Sequence, residues 1–377
     1  MSERLDVEPA CFFVHRHIRP QYVCRACETI TAEPVPSAVI DGSLGAPGLH
    51  AWGVTQKFLD HLPLYRIEQI SERQGAGIAR STLAEWVGRI GVALQPLTDR
   101  LAARLRERSI LHADETPVPQ LDPGSGKTKR AYLWAYRSNE LDGKHDPPII
   151  VFDYQPSRSG GHAQHFLRNW RGSLMVDDYV GYKQLFQCGG ITELGCFAHA
   201  RRKFFDLHAA HGSRIAAQAL ERIGELYATE REGKHLDTET RRQLRQCQAQ
   251  PKLDQLYDWL RATRVTAAEG SGLAKSLDYS LKCWPALVRY AKSGDLPIDN
   301  NPIENAIRPI ALGKKNWLFA GSERAGKRAA AIQSLLGTAK LNGFEPYAWL
   351  KDTLEKLPAW PNSRIDELLP LRQSPAT

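Results

Sequence analysis

Two short apolar runs in this chain, at 110–111 and 174–176, lead into pairs of carboxylates, Asp114–Glu115 and Asp177–Asp178. Apolar runs of this length bounded by turn residues are predicted to be strands, each delivering acid to its carboxyl end, and Pro117 is predicted to end the first. Taken singly, either pair reads as an acidic turn at a strand end. A third acid changes the reading. In Ile298-Asp-Asn-Asn-Pro-Ile-Glu, Asn301 is predicted to cap a helix starting at Pro302, with Glu304 in its first turn. Two acids on strand ends and one on a helix can face one point. Asp114, Asp177 and Glu304 would then form an all-oxygen site for Mg2+ or Mn2+. Two such ions activate an attacking oxygen and steady the leaving oxygen of a phosphodiester.

The segments between these acids suit that layout. Strands are predicted at 109–113, 130–137, 148–154, 174–176 and 192–196, with helices at 162–170 and 179–187. Three adjacent strands followed by strand–helix–strand fit a mixed sheet of the RNase H kind. Gly124-Ser-Gly-Lys-Thr lacks the spaced leading glycine of a phosphate-binding loop and reads as a hairpin turn. Residues 205–297 carry only helical stripes, so Glu304 returns to the sheet after a long helical insertion. A helix starting at Cys196 carries Arg201, Arg202 and Lys203. Cys196 and His199 have ligand chemistry but no third soft donor nearby in the chain. They read as groups packed near the site or lining a DNA groove, with His199 and Arg202 placed to touch a phosphate. Arg308, Lys314 and Lys315 follow Glu304 as candidate phosphate contacts. Trp317 and Phe319 read as core aromatics.

The amino-terminal part is built differently. Residues 1–33 hold one Cys24-Arg-Ala-Cys27 knuckle, which supplies two of the four ligands of a structural zinc. Proline and glycine make 34–47 a linker. From 48 to 108 the pattern is helical. A helix over 64–73, a Gln74-Gly-Ala-Gly turn and a second helix over 82–92 capped by Ser81 read either as a plain hairpin or as a helix-turn-helix. In the second case Arg80, Ser81, Thr82 and Glu85 would reach base edges.

His-Ala-Asp-Glu-Thr-Pro around Asp114, Asp-Asp-Tyr-Val-Gly-Tyr around Asp177, Gly-Cys-Phe-Ala-His-Ala-Arg-Arg-Lys-Phe at 195–204, Asn-Asn-Pro-Ile-Glu-Asn-Ala-Ile-Arg-Pro at 300–309 and Lys-Lys-Asn-Trp-Leu-Phe-Ala-Gly at 314–321 closely resemble the IS66 family of bacterial insertion-sequence transposases. The resemblance covers almost the whole chain. It implies a DDE catalytic domain of mixed α+β, RNase H-like fold, with Asp114, Asp177 and Glu304 as its triad and as ligands of two Mg2+ or Mn2+ ions. Asp178 stands where the family more often has glycine, which makes Asp177 the aligned acid and Asp178 the fallback. The resemblance further implies a four-cysteine zinc module at the amino terminus, with Cys24 and Cys27 as its second pair and the first pair upstream of Met1. It places a helix-turn-helix between that module and the catalytic domain. The expected organisation is a partial zinc module (1–33), linker (34–47), helix-turn-helix region (48–108), first part of the core (109–204), helical insertion (205–297), second part of the core (298–345) and a carboxyl-terminal helix and tail (346–377).

Partners follow from both readings. The formal charge of +8 and pI near 9.1 favour a polyanion, modestly, because the excess is spread over 377 residues. The family implies DNA, both terminal repeats and target, with two protomers or more on the DNA and accessory proteins from the same element. Seven unevenly spaced cysteines and the lack of a leader pattern or bilayer-length apolar stretch point to the cytoplasm. The competing expectation is a truncated, inactive transposase that only binds DNA.

Overall fold

The computed structural model describes residues 11–141, 146–187 and 189–372. The first ten residues of the expected zinc module and the last five of the tail lie outside them. The chain begins with a hairpin, β1 (Gln21–Val23) and β2 (Ile30–Ala32), whose turn carries Cys24 and Cys27. Helices α1 (Pro47–Phe58), α2 (Leu64–Arg73), α3 (Arg80–Ala93) and α4 (Gln95–Leu105) follow. The second helix matches its predicted span, but the cap of the third differs. Ala79, not Ser81, precedes α3, and Glu68 of α2 accepts from the Arg80 backbone N–H at 2.8 Å. A carboxylate from the neighbouring helix thus does the work expected of a local hydroxyl.

A five-stranded sheet forms the centre, built from β3 (Ile110–Asp122), β4 (Lys127–Ser138) and β5 (Ile150–Gln155), then α5 (Gly160–Phe166), β6 (Gly172–Val176), α6 (Lys183–Gln187) and β7 (Ile191–Gly195). The order is β5-β4-β3-β6-β7, and only β4 runs against the other four. Strand β3 continues well beyond Pro117, contrary to expectation, because β6 pairs with it only as far as His112. Beyond that point one side of β3 has no neighbouring strand, so the N–H groups missing at Pro117 and Pro119 break no ladder. Ala320 takes up the free side, donating to Pro119 O at 2.9 Å and accepting from Leu121 N at 2.8 Å.

Helices α7 (Phe197–His211), α8 (Arg214–Glu232), α9 (Thr238–Leu244), α10 (Gln250–Thr266) and α11 (Gly272–Leu287) make the expected helical stretch, with a core of their own around Phe204, Ile223, Leu256 and Leu277. The chain then returns through α12 (Asn301–Trp317), α13 (Glu323–Leu341) and α14 (Pro346–Lys356). Strand alternation divides the sheet's side chains. Leu111, Ala113, Trp134 and Val151 face the core shared with α1, α3, α4 and α13, while Val118, Leu133, Ala135 and Phe152 pack on Ile303, Ile307 and Ile310 of α12.

Helix α13 also lies along the outer edge of β5. Ser334 Oγ accepts from Phe152 N at 2.8 Å, and Thr338 Oγ1 accepts from Ile150 N at 3.2 Å. Two hydroxyls one helical turn apart match two strand amides two residues apart, since both spacings are roughly 6–7 Å. A Cβ on Gly326 would stand 2.4 Å from the Tyr154 ring, so only glycine permits this approach. Short helical turns at Asn362–Leu368 present Asp366 to Arg100 and Arg104 of α4, with Arg100 Nη2 at 2.8 Å.

Candidate active site

Parallel pairing joins Ile110 to Ser173, Leu111 to Leu174 and His112 to Met175. Continuing that register sets Asp114 opposite Asp177, the first residue after β6. Alternation turns His112 and Asp114 toward α12, and Glu115 away. The Glu115 side chain has no exposure. It accepts from Arg158 Nε at 2.7 Å and from the Tyr182 hydroxyl at 2.7 Å, an anchor on the far face of the sheet.

Asn300 fastens the start of α12 to β3. Its side chain, fully buried, donates to Ala113 O at 2.9 Å and pairs with His112 Nδ1 at 2.9 Å, and its backbone N–H meets Cys196 Sγ at 3.2 Å. The predicted cap shifts accordingly. Asn300 is the residue before the helix, its side chain is spent on the strand, and Asn301 instead holds Asp299 Oδ2 at 2.7 Å. Glu304 sits in the first turn of α12 as expected.

The charges of Asp177 and Glu304 reach Asp114, but the three carboxylates are not drawn into one ligand set: among the described residues no group of three donor atoms joins them. Burial pushes the Asp114 carboxyl up to about 8, and the charges of Glu115, Asp177 and Glu304 add to it, against a backbone hydrogen bond from Glu115 N. Glu304, however, leans toward α7. Its Oε2 accepts from Arg202 Nη2 at 2.8 Å, and its Oε1 stands 3.6 Å from His199 Nδ1. The donor atoms of Cys196, His199 and Glu304 all lie within 4.8 Å of one another, the one such trio of Cys, His, Asp or Glu among the described residues. Asp178 is occupied otherwise, by Lys183 at 2.8 Å and Lys282 at 2.6 Å, and these cations hold its carboxyl below the usual range.

The remaining candidates spread over the surface. Arg202 is exposed and His199 half-buried at the mouth of the site. Beside them a cleft of about 540 Å3 is lined by Arg201, Arg202, Phe205, Tyr227, Arg231 and Asn301. Phe205, Tyr227 and Arg231 carried no chemical motif, and only the fold of α7 and α8 brings them here. His112 and Asn300 lay inside quoted motifs without a role. Arg308 and Lys315 are exposed on α12, while Lys314 donates to Pro117 O at 3.1 Å. Arg80, Ser81 and Glu85 are exposed on α3, Thr82 is half-buried, and Glu85 pairs with Arg89 at 3.0 Å. Trp317 is half-buried, whereas Phe319 is 41% exposed, more open than a core aromatic. In the amino-terminal hairpin Cys24 and Cys27 are exposed, and hydrogen bonding with Thr29 lowers the Cys27 thiol to about 7. Among the described residues no third donor joins them. Nor is any described helix long and apolar enough to cross a membrane.

Comparison with known proteins agrees along the length of the chain. Residues 42–328 match the transposase IS66 family, 334–371 its C-terminal element and 1–28 the zinc-finger binding domain of transposase IS66. Two uncharacterized proteins of Sinorhizobium fredii, y4jD and y4qI, are 37% and 36% identical to this chain, covering 98% and 99% of it and 74% and 71% of their own lengths. The uncharacterized protein YjgZ of Escherichia coli is 63% identical over 28 residues, 7% of this chain and 26% of its own. With acids on β3, just after β6 and on α12, and a family match spanning three quarters of the sequence, the chain belongs to the IS66 family of transposases.

Proposed function

We propose that the protein is a DDE transposase that cleaves the ends of its element and transfers the strand to target DNA, with Asp114, Asp177 and Glu304 as the catalytic carboxylates. The observation that carries this reading is the Asp114 neighbourhood. The β3–β6 register sets Asp114 opposite Asp177, and burial, with lesser contributions from neighbouring carboxylates, pushes the Asp114 carboxyl up to about 8, which a divalent cation would relieve. The donor set is all oxygen and suits Mg2+ or Mn2+, which supply activation of the attacking oxygen and stabilisation of the leaving oxygen when bound. The sheet order supports an RNase H-like core, and α2 with α3 supports a helix-turn-helix.

The chain's own residues divide the remaining work. Asn300 holds the first turn of α12 against β3, and with it Glu304. Arg202 steadies Glu304 Oε2 and, with Arg201 and Arg231, offers cations to backbone phosphates at the cleft. Phe205, 49% exposed at the same cleft, offers a face to an unstacked base. Arg80, Ser81, Thr82 and Glu85 stand at the amino end of α3 for base edges at the terminal repeats. Arg308, Lys314 and Lys315 extend the phosphate track along α12. His199 contacts DNA at the site mouth. Cys24 and Cys27 supply two zinc ligands. One protomer at each end gives a dimer or higher assembly on DNA.

The test is cleavage of labelled duplexes carrying the element's ends, with Mn2+. Asp114→Ala, Asp177→Ala and Glu304→Ala are each expected to abolish nicking while retaining binding, and Asp178→Ala to retain nicking. Nicking by Asp114→Ala overturns the assignment. End binding by the wild-type protein without any nicking favours a DNA-binding protein that does no chemistry.

A further inference from the structure

We propose that Cys196, His199 and Glu304 form a site for one borderline-soft divalent ion of the zinc or cobalt kind, separate from the hard-ion position at Asp114 and Asp177. The trio arises from two helix starts that meet. Cys196 ends the β7 segment as the residue before α7, and His199 follows three residues later, on the same face of the first turn. Glu304 comes from the first turn of α12, which Asn300 holds against Cys196 Sγ through its backbone N–H.

Two unpartnered atoms point into the gap. His199 Nδ1 and Glu304 Oε1 are both shielded from solvent, and neither has a hydrogen-bond partner. They face each other at 3.6 Å. Arg202 takes the other oxygen of Glu304, which fixes the carboxylate with Oε1 directed at the histidine. A zinc ion about 2.0–2.1 Å from nitrogen and oxygen places such atoms roughly 3.3 Å apart in a tetrahedron, so the pair needs little adjustment. Cys196 Sγ lies within 4.8 Å of both and offers the third position. Burial pushes the free Cys196 thiol up to about 12, and the Asn300 N–H to sulfur contact at 3.2 Å works against that, so an ion in the gap is what would favour the thiolate. Ligation replaces the thiol proton, which leaves to solvent, with the ion. Sulfur, nitrogen and a single carboxylate oxygen prefer zinc or cobalt to magnesium. The side chains of His199 and Glu304 keep 23% and 18% exposure, enough for an ion to enter and for a fourth ligand from water.

The binding stands without the transposase reading. Its consequence rests on that reading: an ion here holds Glu304 Oε1 at α7 and withholds it from Asp114 and Asp177, so occupancy acts as a brake.

The experiment is a Co2+ titration of the full chain carrying Cys11→Ser, Cys24→Ser and Cys27→Ser, which removes the amino-terminal thiols from competition. One equivalent is expected to give the thiolate-to-cobalt charge-transfer band and the visible bands of a four-coordinate ion, with Zn2+ displacing the signal. Adding Cys196→Ser is expected to abolish the charge-transfer band. Adding His199→Ala, at a half-exposed position that tolerates truncation, is expected to weaken binding at least ~10-fold. Asp114→Asn is expected to leave the spectrum unaltered, so that a failed hard-ion site and a failed soft site are told apart. No charge-transfer band, a band that survives Cys196→Ser, or unchanged affinity in His199→Ala overturns the proposal.

Discussion

Replacing Asp114 by asparagine should stabilise the metal-free protein at alkaline pH. The folded chain raises this carboxyl from 3.8 to about 8. At ~1.4 kcal/mol per pH unit, its full ionisation inside the fold costs about 6 kcal/mol. The side chain keeps partial contact with solvent, so about half of that, ~3 kcal/mol, is the expected gain on substitution. With an unfolding entropy of roughly 2 cal/mol/K per residue, a chain of 377 residues changes by ~0.8 kcal/mol per degree, and the midpoint should rise about 3–4 °C. The sign with pH follows from the raised pKa. The contribution of Asp114 is fully present below pH ~4, is lost as pH rises toward 8, and is flat above. Asparagine has no such slope, so the gap opens between those values. Scanning calorimetry of both proteins at pH 5 and pH 8.5 measures it. Saturating Mn2+ should raise the wild-type midpoint and leave Asp114→Asn nearly unmoved. An Asp114→Asn midpoint at or below wild type at pH 8.5, without metal, refutes the crowding of negative charge at this position.

Asn300→Ala should cost ~3 kcal/mol, because it strands the buried Ala113 O and His112 Nδ1, and urea unfolding should show an earlier midpoint at unchanged slope. Asp178→Asn should leave Mn2+ affinity as it is while Asp177→Asn lowers it ~10-fold or more, read by electron paramagnetic resonance of free Mn2+; equal losses would return Asp178 to the metal site. Asp366→Asn should cost about 1 kcal/mol near neutral pH, discounted for a pair one-third exposed. Arginine contacts hold that carboxyl down at about 2, so its contribution is present above pH ~4 and the gap to the variant should close as pH falls toward 2.

What the chain shows locally, it showed well. The span of α2 and the acids after the apolar runs needed no partner to be read, since periodicity and turn residues act over a few positions. What depended on distant neighbours was lost. Pro117 looks like a strand end unless one knows that β6 has already stopped pairing. Ser81 and Asn301 look like caps unless Glu68 and the β3 backbone are in place to change the hydrogen bonding. Cys196 and His199 lacked a third donor because Glu304 arrives only after the helical stretch has folded back. Phe205 and Arg231 became neighbours of the site through the packing of α7 on α8, which no motif records.

The hydroxyls of Ser334 and Thr338 have a consequence for assembly. They occupy the outer rim of β5, and at the opposite rim Arg289 reaches the Glu193 carbonyl of β7 while α11 backs against Gly195. At these positions side chains and a helix, not a visiting strand, take the sheet's borders. An association between copies made through helices would leave undisturbed the backbone hydrogen bonds that hold β3 against β6 just before Asp114 and Asp177.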